Sequence, residues 1–122
     1  MLVSNYYKID RRECTDNVHR FFISLCPDCE VYKGHFPGTP VSPGVCNIQM
    51  VKECAEQVVG KQLLMNNLQL CRLTTLVTPI EHPQVEVVLS IEQTDDVYKL
   101  KASIGKGEDK YLDMKAELVN QD

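Results

Sequence analysis

The sequence predicts an α+β domain, with one helix packed on the apolar face of an antiparallel sheet. Two observations carry this. Residues 44–59 place apolar side chains at helical spacing, and residues 85–119 fall into three runs that alternate apolar and polar with turn residues between them. A third is a Gly/Pro-rich loop that separates the helix from two leading stretches of β-forming residues.

In chain order, residues 3–10 (VSNYYKID) read as a short strand and residues 17–26 (NVHRFFISLC) as a second. In the helix, Val45, Ile48, Val51, Ala55, Val58 and Val59 share one arc at about 100° per residue, with Cys54 at its edge. Gln49, Lys52, Glu53, Glu56 and Gln57 gather on the other side, and Gly60 follows as the stop. Sixteen residues make the helix about 24 Å long. Residues 68–78 then read as a strand stopped by Pro79. Residues 85–93 alternate Val85, Val87, Leu89 and Ile91 against polar neighbours. Thr94-Asp95-Asp96 turns the chain into 97–104, and residues 105–109 turn it again into 111–119. Consecutive two-faced strands joined by short turns predict an antiparallel meander.

At 122 residues the chain is one domain, able to bury a core without staples. No run of about 18 apolar residues exists, so no membrane span is expected. The first residues reach charge too early for a secretory segment, which leads to an expected cytoplasmic location. The six cysteines then read as thiols rather than disulfides, with Cys46, Cys54 and Cys71 in the core. Cys26-Pro-Asp-Cys29 has no second pair at zinc spacing, so it reads as a turn, and neither metal nor cofactor is expected. His19 and His82 are expected at the surface. A formal charge of −4 without a basic stripe argues against nucleic acid.

The remaining stretch, GHFPGTPVSPGVCNIQ, runs from Gly34 to Gln49. Pro37, Pro40 and Pro43 fix φ and hold their predecessors extended, so the loop is stiff. Gly44 opens the helix, where its N–H is one of the unpaired donors at a positive helix end. A rigid loop thus carries the imidazole of His35 towards a helix terminus able to hold an oxyanion, a geometry suited to proton abstraction beside a carbonyl. The plainer reading is a histidine that caps a turn.

The motif GHFPGxPVxPGV resembles the signature of the 3-hydroxyacyl-acyl-carrier-protein dehydratases of type II fatty acid synthesis, enzymes of the hotdog fold. The likeness extends to residues 27–34 and to the order of elements over nearly the whole chain. It implies a hotdog domain, a sheet wrapped around one long central helix. It also implies a lyase that removes water from a (3R)-hydroxyacyl thioester on an acyl carrier protein to leave a trans-2-enoyl product. By the resemblance His35 is the base, the Gly44 N–H holds the thioester carbonyl, and the Val41 carbonyl orients the imidazole. Phe36 and Pro43 belong to the same substrate-binding loop. It further implies a homodimer, with a higher oligomer or heterodimer as variants, in which each tunnel takes its histidine from one subunit and its helix acid from the other. An acidic carrier needs basic residues near the tunnel mouth, and Lys33, Lys61, Arg72, Arg11 and Arg12 are the candidates.

One position departs from that family. Where it has Asp or Glu this chain has Gln49, and four residues later, where Gln is frequent, it has Glu53. A neutral amide cannot protonate a departing hydroxide. Residues four apart share a helix face, so Glu53 can serve the same cavity from one turn deeper. The alternative is that Glu53 and Glu56 form a solvated stripe with Lys52. At the level of function, two further readings stay open. One is a hotdog thioesterase in which Gln49 positions water. The other is an acyl-binding partner subunit that contributes only His35.

Overall fold

The computed structural model describes residues 6–26, 44–75, 77 and 81–121. Strands β1 (Tyr7–Thr15) and β2 (Val18–Leu25) come first, then helix α1 (Gly44–Val59). Strands β3 (Leu63–Leu73), β4 (Gln84–Thr94), β5 (Val97–Lys106) and β6 (Asp109–Asn120) follow. They form one six-stranded antiparallel sheet in the order β1-β2-β4-β5-β6-β3. This is the predicted α+β architecture, and the expected meander is its β4-β5-β6 part. The helix has 16 residues, and Gly60, at φ 80°, ends it as predicted.

Two strands sit elsewhere than the sequence suggests. The first strand runs to Thr15 instead of stopping near Asp10, and residues 3–5 of the expected strand lie outside the described residues. The reason is the turn. Asp16 and Asn17 both take positive φ (51° and 64°), which two-residue hairpins require and which Asp and Asn tolerate. The polar run Asp10–Thr15 can therefore continue as an edge strand facing water. A bulge at Asp10 brings Arg12 opposite Phe21 and Cys14 opposite His19. β3 starts at Leu63, five residues earlier than expected, because the chain pairs with β6 almost directly after the helix stop.

One face of the sheet holds the core. Phe21, Ile23, Val85, Val87, Leu89, Leu100, Ile104, Leu112, Met114 and Leu118 lie there, all buried, and Met50, Val51, Cys54 and Ala55 of α1 pack on them. The other face alternates to solvent, as strand geometry requires. In the β5-β6 hairpin a side chain at Gly105 would bring its Cβ within 2.0 Å of the Asp109 carbonyl oxygen, so glycine is needed there. β1 and β3 are the sheet edges. Edge position also explains one departure: Cys71, expected in the core, is exposed on β3, whereas Cys46 and Cys54 are buried. His19 and His82, expected at the surface, are half-buried, and His82 lies against the ring of Tyr111 at 4.8 Å.

Candidate functional site

The helix begins at Gly44, so the Gly44 N–H stands at the start of α1 with no helical acceptor available to it. Gln49 and Glu53 follow one turn apart. His35, Phe36, Val41 and Pro43 lie outside the described residues, as do Lys33 and the turn at Pro27–Cys29. Of the predicted site residues, the structure brings together Gln49 and Glu53.

Glu53 is not part of a solvated stripe. It is 2% exposed and sits on the buried side of α1. The Tyr7 hydroxyl donates to its Oε1 at 2.9 Å, and the Gln49 amide Nε2 donates to its Oε2 at 2.9 Å. Burying a carboxyl group is costly unless its oxygens are hydrogen-bonded, and these two donors take one oxygen each. Glu56 is half-buried, pairing with Lys52 at 3.7 Å and accepting the Leu63 N–H at 2.8 Å. Gln49 is half-buried. It therefore links the buried carboxyl to the preceding turn of the helix.

The buried arc of α1 is turned from the one its apolar residues predict. Asn47 and Glu53 lie inside it, while Ile48, Val58 and Val59 are half-buried. Two tyrosines at the head of the chain cause this. Tyr6 and Tyr7 are buried, their rings meet edge to face at 6.5 Å, and the Tyr6 hydroxyl donates to Asn47 Oδ1 at 2.7 Å. Each tyrosine covers the polar side of the helix with its ring and satisfies a polar atom there with its hydroxyl. Neither tyrosine is legible as a site residue in the sequence. The available signal was a pair of tyrosines opening a strand, whose hydroxyls need partners once buried.

The electrostatics around Glu53 keep its neighbours protonated. Burial, then Cys54, then the hydrogen bond and charge of Glu53 push the Tyr7 hydroxyl far above the ordinary phenol value, so Tyr7 remains a donor. Burial and the Glu53 charge push the Cys54 thiol from 9.0 up to about 12, with Arg12 opposing. Arg12 lies over the Phe21 ring at 5.0 Å.

These two shifts have one sign. Between about pH 9 and 12 the folded protein holds protons that the unfolded chain has released, so stability is intact below pH 9 and declines across that window. The slope is about 1.4 kcal/mol per pH unit for each such proton. Urea unfolding at pH 8 and pH 10.5 is expected to show a smaller alkaline loss for Cys54→Ala than for the native chain. Alkylation at pH 8 should label Cys14 and Cys71 while sparing Cys54. Labelling of Cys54 at the same rate would contradict this picture.

Among the described residues no group of three or more His, Cys, Asp or Glu side chains could hold a metal ion. No helix among them is long and apolar enough to cross a membrane.

Residues 11–112 match the family ApeI-like, described as ApeI dehydratase. No curated protein matches the sequence. The dehydratase heterocomplex ApeI:P from Xenorhabdus doucetiae is similar in structure, with a TM-score of 0.66 at 17% identity over 92% of this chain and 96% of that one. An uncharacterized protein from Erwinia carotovora subsp. atroseptica gives 0.66 at 20% identity over 90% of each chain. A thioesterase from Staphylococcus aureus gives 0.64 at 12% identity over 97% of this chain and 95% of that one. At these identities the likeness establishes the hotdog fold alone, which dehydratases and thioesterases share. The family match spans the motif loop and all of α1, although Tyr6 and Tyr7 precede it. By that match, this chain belongs to the ApeI-like dehydratase family.

Proposed function

We propose that this protein is a cytoplasmic dehydratase of lipid synthesis that removes water from a 3-hydroxyacyl thioester presented on an acyl carrier protein. The observation that supports it is the Tyr7–Glu53–Gln49 cluster, a carboxyl group held one helical turn from the position where related dehydratases carry their acid. In this reading His35 takes the C2 proton while the Gly44 N–H steadies the thioester oxygen. The C3–O bond then breaks, and Glu53, protonated for this step, gives its proton to the hydroxyl that departs as water and is left as the carboxylate that Tyr7 and Gln49 hold. The Gln49 amide, half-buried and already donating to Glu53, keeps its carbonyl oxygen for the substrate hydroxyl. Phe36, Val41 and Pro43 shape the loop that aims His35.

The test is incubation of the purified protein with 3-hydroxyacyl and trans-2-enoyl thioesters of acyl carrier protein, following enoyl absorbance and free thiol. Water loss or addition supports the proposal. Thiol release would assign a thioesterase instead. Silence alone, with activity restored by mixing with a second dehydratase subunit, would make this chain the partner half of a heteromeric enzyme. The heterocomplex named for the Xenorhabdus relative is a precedent for that arrangement.

The sheet edge supports a dimer. Among the described residues β3 has no strand beyond it, and it exposes Leu64, Leu68 and Leu73 at 46%, 41% and 49%. An open edge carrying apolar side chains favours pairing with a second chain. Light scattering is expected to give a dimer mass for the native chain and a monomer mass for Leu64→Lys/Leu68→Lys. A native monomer would remove the dimer from the proposal.

A further inference from the structure

The outward face of the sheet carries a charge arrangement that the helix side does not explain. Across β4, β5 and β6 one row of register partners reads Glu92, Lys99, Glu117, with opposite charges facing each other. The next row reads Ser90, Lys101, Lys115, so two lysines stand directly opposite. Like charges at that spacing destabilise a sheet. The row after it reads Val88, Ser103, Asp113, and continues to Arg72 on β3.

Among the described residues neither lysine nor Arg72 has a carboxylate within 4.0 Å, and Asp113 is engaged by Lys110 at 3.7 Å. Lys101, Lys115, Arg72, Lys110, Ser90 and Ser103 line a cavity of about 430 Å³, together with the Asp113 carboxylate. That is the size of a small-molecule site and far short of a protein docking surface. Four cations against one carboxylate give this concavity a local positive charge in a chain whose net charge is −4.

We propose that this concavity binds a small molecule bearing two or more phosphate groups. Ammonium and guanidinium groups offer only donors, and they form short charge-assisted bonds to phosphate oxygens. The two serine hydroxyls add neutral donors between them. A bound polyanion relieves the repulsion between Lys101 and Lys115, which gives the opposed pair a physical reason. Val18 and Leu70 lie at the cavity's side, where the carbon part of an organic phosphate can rest. The site faces away from α1 and Glu53, so it stands whether or not the dehydratase reading holds.

The test is thermal unfolding of the full chain with millimolar inorganic pyrophosphate or ADP, against sodium chloride of equal ionic strength. The native chain is expected to gain about 2–4 °C or more with either phosphate probe and not with chloride. Lys101→Ala/Lys115→Ala should lose that gain. Lys115→Glu recreates the opposite-charge pairing of the Lys99 row, so it should melt higher than the native chain without ligand and show no gain with it. This variant separates lost binding from damaged folding. No gain in the native chain, an equal gain with chloride, or an equal gain in the variants overturns the proposal. So does a Lys115→Glu-sensitive change in mass without any phosphate effect, which would make the face a contact between copies.

Discussion

Glu53→Gln is expected to lower the kcat of the proposed dehydration by about 10²- to 10⁴-fold, the usual worth of general acid–base assistance. The change is close to isosteric. The new amide oxygen can still accept from the Tyr7 hydroxyl, and Gln49 can rotate its own amide to present its oxygen to the new NH2 group. The fold therefore survives while the proton that must reach the departing hydroxide is gone. KM should change little, because the carboxyl acts on the transition state rather than on the acyl chain. Steady-state kinetics beside a melting curve would separate the two effects. Unchanged kcat would make Glu53 a structural carboxyl and leave His35 to handle both protons. His35→Ala should be at least as damaging, since it removes the proposed base.

Tyr7→Phe is expected to destabilise the protein by about 1–3 kcal/mol, which lowers Tm by several degrees. The substitution removes a single oxygen, so packing is nearly unchanged. What is lost is the donor to Glu53 Oε1, inside a cluster where Glu53 itself is 2% exposed. If Tyr7 also holds the carboxyl in its working orientation, kcat falls in Tyr7→Phe while KM holds. The stability losses of Tyr7→Phe and Glu53→Ala should then not add, because each removes one partner of the same hydrogen bond. Additive losses in a double-mutant cycle would show that Tyr7 and Glu53 do not act together. A fully active Tyr7→Phe enzyme would confine Tyr7 to packing.

Residues far from the motif show why part of this site escaped a reading of the sequence. The helix was visible because apolar residues recur at its period, and the β4-β5-β6 meander because its strands alternate strictly. β1 was misplaced because an edge strand with polar residues has no such pattern, and the decisive signal was the Asp16-Asn17 turn. Glu53 was visible as an acid displaced by one helical turn from Gln49. Its burial was not, since helical periodicity places it with Lys52 and Glu56 on the polar side. Tyr7 lies 46 residues away in sequence. No local pattern joins it to Glu53.

The fold class, the position and end of the helix, the motif loop around His35 and the exchange of acid and amide between positions 49 and 53 are all legible in the sequence. Those features are encoded locally, in side-chain period, in proline and glycine geometry and in spacing along a helix. Only the tertiary structure decided that Glu53 is buried, that Tyr7 and Gln49 share it, and that Lys101 faces Lys115 across two strands. Burial and cross-strand pairing depend on which distant segment covers a residue, and that is fixed when the chain closes on itself.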